Sequence, residues 1–405
     1  MAQATGLPGR HSDRQYALPV PSVDPGAPGG LTQLRDALRA RSARLPVSFL
    51  VRAGEDTLVM GDNEPVFEML IHTPAGMAAV LSLRELAIAE AYMAGDIDFD
   101  GDFFAVMALR DVLVDRELSV KAWAWLKPVL MGRRRCNPGW IAHHYDADNI
   151  QLLASDTRWH TYTPGIYHEE ADTMECGATR KLEAAFAVLR LAPGATLLEI
   201  GCGWGGFVRY CAERDVKVTA ITLSRHQLAF TRELLEHEKL QADVSYQDFF
   251  SYEPGRRFDA ISLMGVLEDL SRYRAVAQRL AGWVEPHGRI YADFASTHVP
   301  FGVSSFITKY VWPGEFRMVY LPGLMRALAR SSLEVVEMHN DRRNYRLWVG
   351  KVHDRWVEQR DEVLRLAGER TWRMLRLLHA GVTATMDDST ERATAYRLVV
   401  APRRR

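Results

Sequence analysis

Little in this 405-residue chain is equipped for cross-linking. It holds four cysteines, Cys136, Cys176, Cys202 and Cys211, and no CxxC pair. So few thiols in so long a chain exclude a disulfide framework, and the missing CxxC argues against zinc; no metal is expected, and a reducing, cytoplasmic compartment fits. An excess of one charge is also missing. Fifty basic against 51 acidic side chains leave a net charge of −1, which excludes a chain-wide field for nucleic acid and leaves only local basic patches. Lysine is scarce, seven residues against a majority of arginines, a bias expected of GC-rich coding before it is expected of phosphate recognition. No stretch approaches the roughly 18–20 uninterrupted apolar residues of a spanning helix; the longest candidate, Gly76 to Gly95, carries Arg84, Glu85 and Glu90. The N-terminus has no apolar signal core. Membrane contact is therefore expected to be peripheral. What is present, 47% hydrophobic and 25% charged residues, is the composition of a folded globular protein long enough for two or three domains.

Residues 1–30 are rich in Pro, Gly, Ser and Asp and predict a disordered tail, because they cannot bury enough apolar surface to offset ordering entropy. Residues 31–131 predict an α+β accessory domain: a helix over LTQLRDALRARSARL, strands SFLVRA, TLVMG and VFEMLIH, and a helix LRELAIAEAYMAG ending at glycine. Lys121 to Trp140, KAWAWLKPVLMGRRRCNPGW, crowds three tryptophans and three consecutive arginines. Such a segment suits the headgroup layer of an anionic bilayer, each basic group adding about 1 kcal/mol. It suits equally a linker whose tryptophans pack inward. Residues 132–170 predict a linking segment.

From residue 171 to 405 the pattern turns to strand and helix alternation: ATLLEI, FVRYCAERD, VKVTAIT, SRHQLAFTRELLEHE, ADVSYQD, FDAISLM, YRAVAQRLAGWV and GRIYADF. Continuous apolar strands alternating with helices predict an α/β, doubly wound parallel sheet of the Rossmann-like type, with its ligand at the carboxyl ends of the strands. LLEIGCGWGGF, Leu197 to Phe207, delivers a buried strand into glycines 201, 203, 205 and 206. Small residues there let a ligand approach the backbone, and the next helix offers its N–H groups. Alone, such a turn is also a dinucleotide fingerprint or a plain tight turn. The second strand ends in Thr222, Leu223, Ser224 and Gln227, where a dinucleotide enzyme would favour a carboxylate. Asp248, after the third strand, stands either at a ligand's adenine or at a helix cap. Glu199-x-Gly-x-Gly followed by this strand is similar to the pattern of S-adenosylmethionine-dependent methyltransferases.

The resemblance sharpens with GCGWGG, TLSRHQ, HYDADN (His144 to Asn149), ITKYVWPGE (Ile307 to Glu315) and MHNDRRNY (Met338 to Tyr345). In this order they resemble the cyclopropane-fatty-acyl-phospholipid synthase and mycolic acid cyclopropane synthase family, over roughly Ile141 to the C-terminus. MAGDIDFDGD (Met93 to Asp102) resembles the N-terminal domain of its longer members. The resemblance implies contacts to S-adenosylmethionine from Tyr162 and Thr163, from the turn Glu199, Gly201, Gly203 and Gly205, from Thr222, Leu223, Ser224 and Gln227, and from Leu267 with Glu268. It implies that residues 132–170 cover the cofactor and that the methyltransferase domain, 171–405, carries an acyl-binding helical insertion. It also implies a dimer.

Methylating an isolated alkene leaves a cation on the acyl chain, and a base must take the proton that this cation sheds. In the family that base is bicarbonate. Here Glu268 and Tyr345 match the family's site, while the family histidine falls on Asp293 and the family cysteine on Pro164 or Gly165. Two carboxylates near a bicarbonate would each repel it by about 4 kcal/mol at roughly 4 Å and an effective dielectric of about 20. The expectation is therefore that bicarbonate is dispensed with and that Asp293 acts as the base, with Glu268 and Tyr345 beside it. The expected substrate is an unsaturated phospholipid acyl chain met at the inner face of the membrane, with a cyclopropane or a branched chain as product. A secondary-metabolite methyltransferase and a catalytically silent lipid-binding homologue are the alternatives. His339 and His379 are expected to be packing or surface residues, and WVEQRDEVLRLAGERTWRMLRLLHAGV to be a packing helix whose leucine stripe covers the acyl cavity.

Overall fold

The computed structural model describes residues 30–115, 150–270, 272–298, 304–311, 318–387 and 393–403. The tail before residue 30, the Trp- and Arg-rich segment Lys121 to Trp140, HYDADN and the WPGE end of ITKYVWPGE lie outside the described residues. The chain divides into two compact units, Met1–Glu117 with Glu369–Ala384, and Leu118–Gly368 with Thr385–Arg405.

The first unit contains α1 (Gly30–Arg41), β1 (Phe49–Ala53), β2 (Asp56–Met60), β3 (Phe67–Ile71), α2 (Pro74–Leu81), α3 (Glu85–Ala94), β4 (Ile97–Gly101) and α4 (Phe103–Val106). Its sheet runs β2-β1-β3-β4, with β1 antiparallel to β2, parallel to β3, and β3 antiparallel to β4. Alternation along β1 and β3 puts Phe49, Val51, Phe67, Met69 and Ile71 on one face, where α1 adds Leu31, Leu34 and Leu38 at helical spacing. The helix α3 ends at Gly95, whose φ of +81° closes its last turn. Arg373, on the returning segment, is buried against both carboxyl oxygens of Asp98 at 3.2 and 2.9 Å, the Tyr92 carbonyl at 3.1 Å and Glu369 at 2.9 Å.

The second unit holds α5 (Ile150–Ala154), α6 (Met174–Val188), β5 (Thr196–Ile200), α7 (Gly206–Ala212), β6 (Lys217–Thr222), α8 (Arg225–His237), β7 (Ala242–Tyr246) and β8 (Phe258–Met264). A single 3-10 turn, Leu267–Asp269, then leads to α9 (Tyr273–Trp283), β9 (Val284–Thr297), β10 (Val319–Tyr320), α10 (Leu321–Ala329), β11 (Leu333–Asn340) and α11 (Arg342–Glu358). The helix α12 (Arg360–Thr385) and β12 (Thr394–Pro402) complete the chain. The sheet order is β11-β12-β9-β8-β5-β6-β7, with β10 beside β9. Strands β5 to β9 are mutually parallel, and β12 and β11 close one edge antiparallel. The chain leaves β5 toward β6 and later returns to its other side as β8, so the strand order reverses at β5. That reversal opens a crevice at the carboxyl ends of β5 and β8. Gly368, at φ +79°, interrupts α12 at the point where the chain passes from this unit into the first.

Candidate active site

Four segments meet at the crevice: the turn after β5, the end of β6, the turn after β8 and the end of β9. After β5 the backbone takes left-handed values at Gly201, Gly203 and Gly205. Gly203 matters most, because a Cβ there would meet nothing within 4 Å, so its left-handed backbone faces open space. Gly205, at φ +82°, is the N-cap just before α7, and a side chain there would strike Thr231 at 2.7 Å. Glu199, at the end of β5, is 3% exposed, and its Oε2 has no hydrogen-bond partner. Burial pushes its carboxyl up to about 8, with Lys181 opposing the shift.

At the end of β6 the predicted residues do come together. The Ser224 hydroxyl oxygen accepts the Gln227 N–H at 3.2 Å and caps α8. The Thr222 hydroxyl accepts the Ser224 N–H at 3.1 Å and donates to Gln227 Oε1 at 3.2 Å. Leu223 is half-buried between them. Asp248, half-buried after β7, accepts the Ser251 N–H at 3.0 Å, a turn-capping contact. Leu267 is 3% exposed and packs its side chain into the core with Ile261, Leu263 and Ala292.

The two predicted carboxylates clasp each other's backbone. Glu268 Oε1 accepts the Ala295 N–H at 2.7 Å, two residues beyond Asp293; Asp293 Oδ1 accepts the Gly265 N–H at 2.9 Å, three residues before Glu268. Beyond that symmetry they differ. Glu268 is 6% exposed, its Oε2 has no hydrogen-bond partner, and burial, with the charges of Asp269 and Asp293, pushes its carboxyl up to about 8. Asp293 is saturated: Oδ2 lies 2.7 Å from Lys181 Nζ and accepts the Tyr291 hydroxyl at 3.3 Å. Asp293, the residue expected to act as the base, thus has both oxygens already engaged. Its charge is met by a lysine 1% exposed on α6, so the like-charge repulsion expected of it toward an anion is largely offset.

Lys181 is the residue that sequence reasoning passed over. It sits on the apolar face of α6, among Ala178, Leu182 and Ala185, and its ammonium also donates to Thr163 Oγ1 at 2.6 Å. A lone lysine on a helix's buried stripe, in a lysine-poor chain, was the available signal.

Tyr162 and Tyr345 flank Trp348 edge to face, at ring-centroid distances of 5.6 and 5.5 Å. Burial raises both phenols far above the ordinary range, and Glu268 and Asp293 raise Tyr345 further, so both tyrosines stay neutral, Tyr345 beside the carboxylates. His339 is 56% exposed on β11, near Glu337, and His379 belongs to the first unit, its Nδ1 2.7 Å from the Leu375 carbonyl.

A left-handed turn of three glycines, one of them facing open space, a buried acidic strand end with an unpartnered oxygen and a capped polar end on the neighbouring strand suit S-adenosylmethionine, whose sulfonium and ammonium are cations and whose ribose carries hydroxyls. The sheet and this crevice define an S-adenosylmethionine-dependent methyltransferase. The sequence profile of the mycolic acid cyclopropane synthetase family matches residues 134–390, and the chain belongs to that family of lipid C-methyltransferases. It is 27% identical over 371 residues to the "Probable fatty acid methyltransferase" of Pseudomonas putida, which covers 87% of this chain and 90% of that one. It is likewise 27% identical over 349 residues to the cyclopropane-fatty-acyl-phospholipid synthase of Escherichia coli (strain K12), covering 82% of this chain and 86% of that one. Among solved structures, mycolic acid cyclopropane synthase complexed with SAH and CTAB superposes with a TM-score of 0.59 at 18% identity, over 65% of this chain and 97% of that one. That last likeness bears on the fold.

Proposed function

We propose that the protein methylates the double bond of an unsaturated acyl chain carried by a phospholipid, giving a cyclopropane or a still-unsaturated methyl- or methylene-branched chain, and that Glu268 is the base. Bound S-adenosylmethionine supplies the electrophilic methyl group. The chain's own residues do the rest. The glycine turn, Glu199 and the capped end of β6 hold and orient the donor, with Tyr162 and Thr163 beside it. Tyr162, Tyr345 and Trp348 form an aromatic wall that excludes water and offers π faces to a cationic acyl chain. The observation that carries the assignment is the free, buried Oε2 of Glu268, beside an Asp293 whose two oxygens are both engaged. A carboxyl raised to about 8 is a stronger proton acceptor, once ionised, than an ordinary glutamate. The proton goes to Oε2, and no bicarbonate is required.

The test is incubation with labelled S-adenosylmethionine and vesicles of monounsaturated anionic phospholipid, followed by mass spectrometry of the released fatty acids. A gain of one CH₂ in the acyl chain is expected, undiminished by bicarbonate depletion. Label that never enters the acyl chain overturns the substrate, and dependence on added bicarbonate overturns the base. Peripheral binding to the cytoplasmic face and pairing of two chains belong to the same proposal. The described residues contain no helix long and apolar enough to cross a membrane. Co-sedimentation with anionic vesicles and the mass of the assembly in solution check these two points.

A further inference from the structure

The function just proposed leaves one buried cation without a task. Lys181 Nζ lies 2.7 Å from Asp293 Oδ2 and 2.6 Å from Thr163 Oγ1, and Asp293 reaches the Gly265 N–H that opens the turn bearing Glu268. One ammonium on α6 thus ties the segment carrying Tyr162 and Thr163 to the end of β9 and, through Asp293, to the turn after β8. A buried ammonium is held at such a place only by what it neutralises.

We propose that Lys181 is a positioning residue for the base: it neutralises Asp293, anchors Thr163, and so sets the charge against which Glu268 gains and loses its proton. This rests on Glu268 being the base. The titratable groups facing Glu268 are Asp269 on its own turn, Asp293 on β9 and Tyr345 on α11. Tyr291 reaches the same cluster through its hydroxyl on Asp293. The phenols are neutral, and Asp269, itself pushed up to about 7 by burial, is common to every variant, so the Lys181–Asp293 pair is the charge that the substitutions change. With the pair intact, the Asp293 charge raises Glu268, and Lys181, 2.7 Å from that carboxylate, opposes it. Removing the cation leaves a bare carboxylate that disfavours ionisation; removing the carboxylate leaves a bare cation that favours it.

The experiment measures the acidic limb of the kcat/KM profile in full-length Lys181→Met, Asp293→Asn and the double variant. The limb is expected to move up by about one pH unit in Lys181→Met, down by about one unit in Asp293→Asn, and back to within a few tenths of wild type in the double variant. A purely structural pair moves the melting temperature of the singles and restores it in the double without this opposed pattern. A limb that stays in place, or that moves the same way in both singles, overturns the proposal. Should Lys181→Met not fold, the downward shift in Asp293→Asn carries the test. A second readout needs no donor: the side-chain carboxyl resonance of Glu268 in isotope-labelled protein, assigned by its loss in Glu268→Gln, titrates with the same opposed shifts. If Glu268→Gln keeps full turnover, Glu268 is not the base, while the resonance still reports whether Lys181 governs its ionisation.

Discussion

Each unit of the molecule buries an ion pair, and the two pairs are finished differently. In the first, Arg373 spends its guanidinium on both oxygens of Asp98, the Tyr92 carbonyl and Glu369, and Asp98 is held below the ordinary carboxylate range despite its burial by His72 and Arg373. In the second, Lys181 and Asp293 are as deeply buried, yet two neighbouring carboxyls, Glu199 and Glu268, each keep an unpartnered oxygen and rise to about 8. The closed pair holds a fold together. The open one leaves buried capacity for a cationic ligand and a proton, at a cost in stability whenever the pH ionises it.

The sharpest break of this comparison is Glu268→Gln. It keeps the shape and the Ala295 N–H contact but cannot take a proton. Turnover should fall by about 10²–10⁴-fold, while calorimetry finds S-adenosylhomocysteine binding nearly unchanged. The counterpart in the first unit is Arg373→Met, which strands the buried Asp98 charge and should lower stability by about 3–5 kcal/mol in denaturant titration. Adding Asp98→Leu should recover much of that loss, because the apolar replacement of both partners removes the stranded charge.

A third comparison uses pH. Glu199 and Glu268 have folded-state values raised above the ordinary glutamate, so the stability tied to their neutral forms is fully present below about 4.5 and is lost as pH rises through about 8. Wild-type stability should therefore decline across that window by up to about 5 kcal/mol for each carboxyl, and Glu199→Gln or Glu268→Gln should flatten the decline. Thermal unfolding in matched buffers without donor checks this. A decline equally steep in both variants would show that these carboxyls ionise freely in the folded state.

How much of this was legible in the sequence follows how local each feature is. The glycine turn, the strand end Thr222 to Gln227 and the parallel sheet could be read because each is written in contiguous residues whose periodicity or backbone demands decide the structure. The Lys181–Asp293 pair could not: the two residues lie far apart in the chain, and each by itself reads as an ordinary helix lysine or strand-end aspartate. Asp293 was accordingly expected to act as the base, and only the fold shows that both of its oxygens are already engaged, by the Gly265 N–H and by Lys181 with Tyr291. The helix WVEQRDEVLRLAGERTWRMLRLLHAGV shows the same limit. Its stripe announces one buried face, but residues 369–384 pack in the first unit beyond the break at Gly368, where Leu377, Ala380 and Ala384 join the core of β1, β3 and α1. Amphipathic spacing says that a face is buried, not in which core.

The smallest expected effect separates scaffold from ligand at the end of β6. Ser224 caps α8 through the Gln227 N–H, and Thr222 supports Ser224 from below. In Ser224→Ala the lost cap should cost about 1 kcal/mol of stability, read as a small fall in melting temperature. If the hydroxyl serves the helix alone, donor affinity should follow only as far as α8 frays, by a factor of about two or less. If it also faces the donor's ribose, affinity should drop by about tenfold, the weight of one lost hydrogen bond to a buried partner. Comparing Ser224→Ala with Ser224→Asp makes the distinction cleaner. Aspartate restores the cap but brings a charge to the strand end, so recovery of stability without recovery of affinity would place the ligand's hydroxyls against Ser224, and recovery of both would confine the residue to capping.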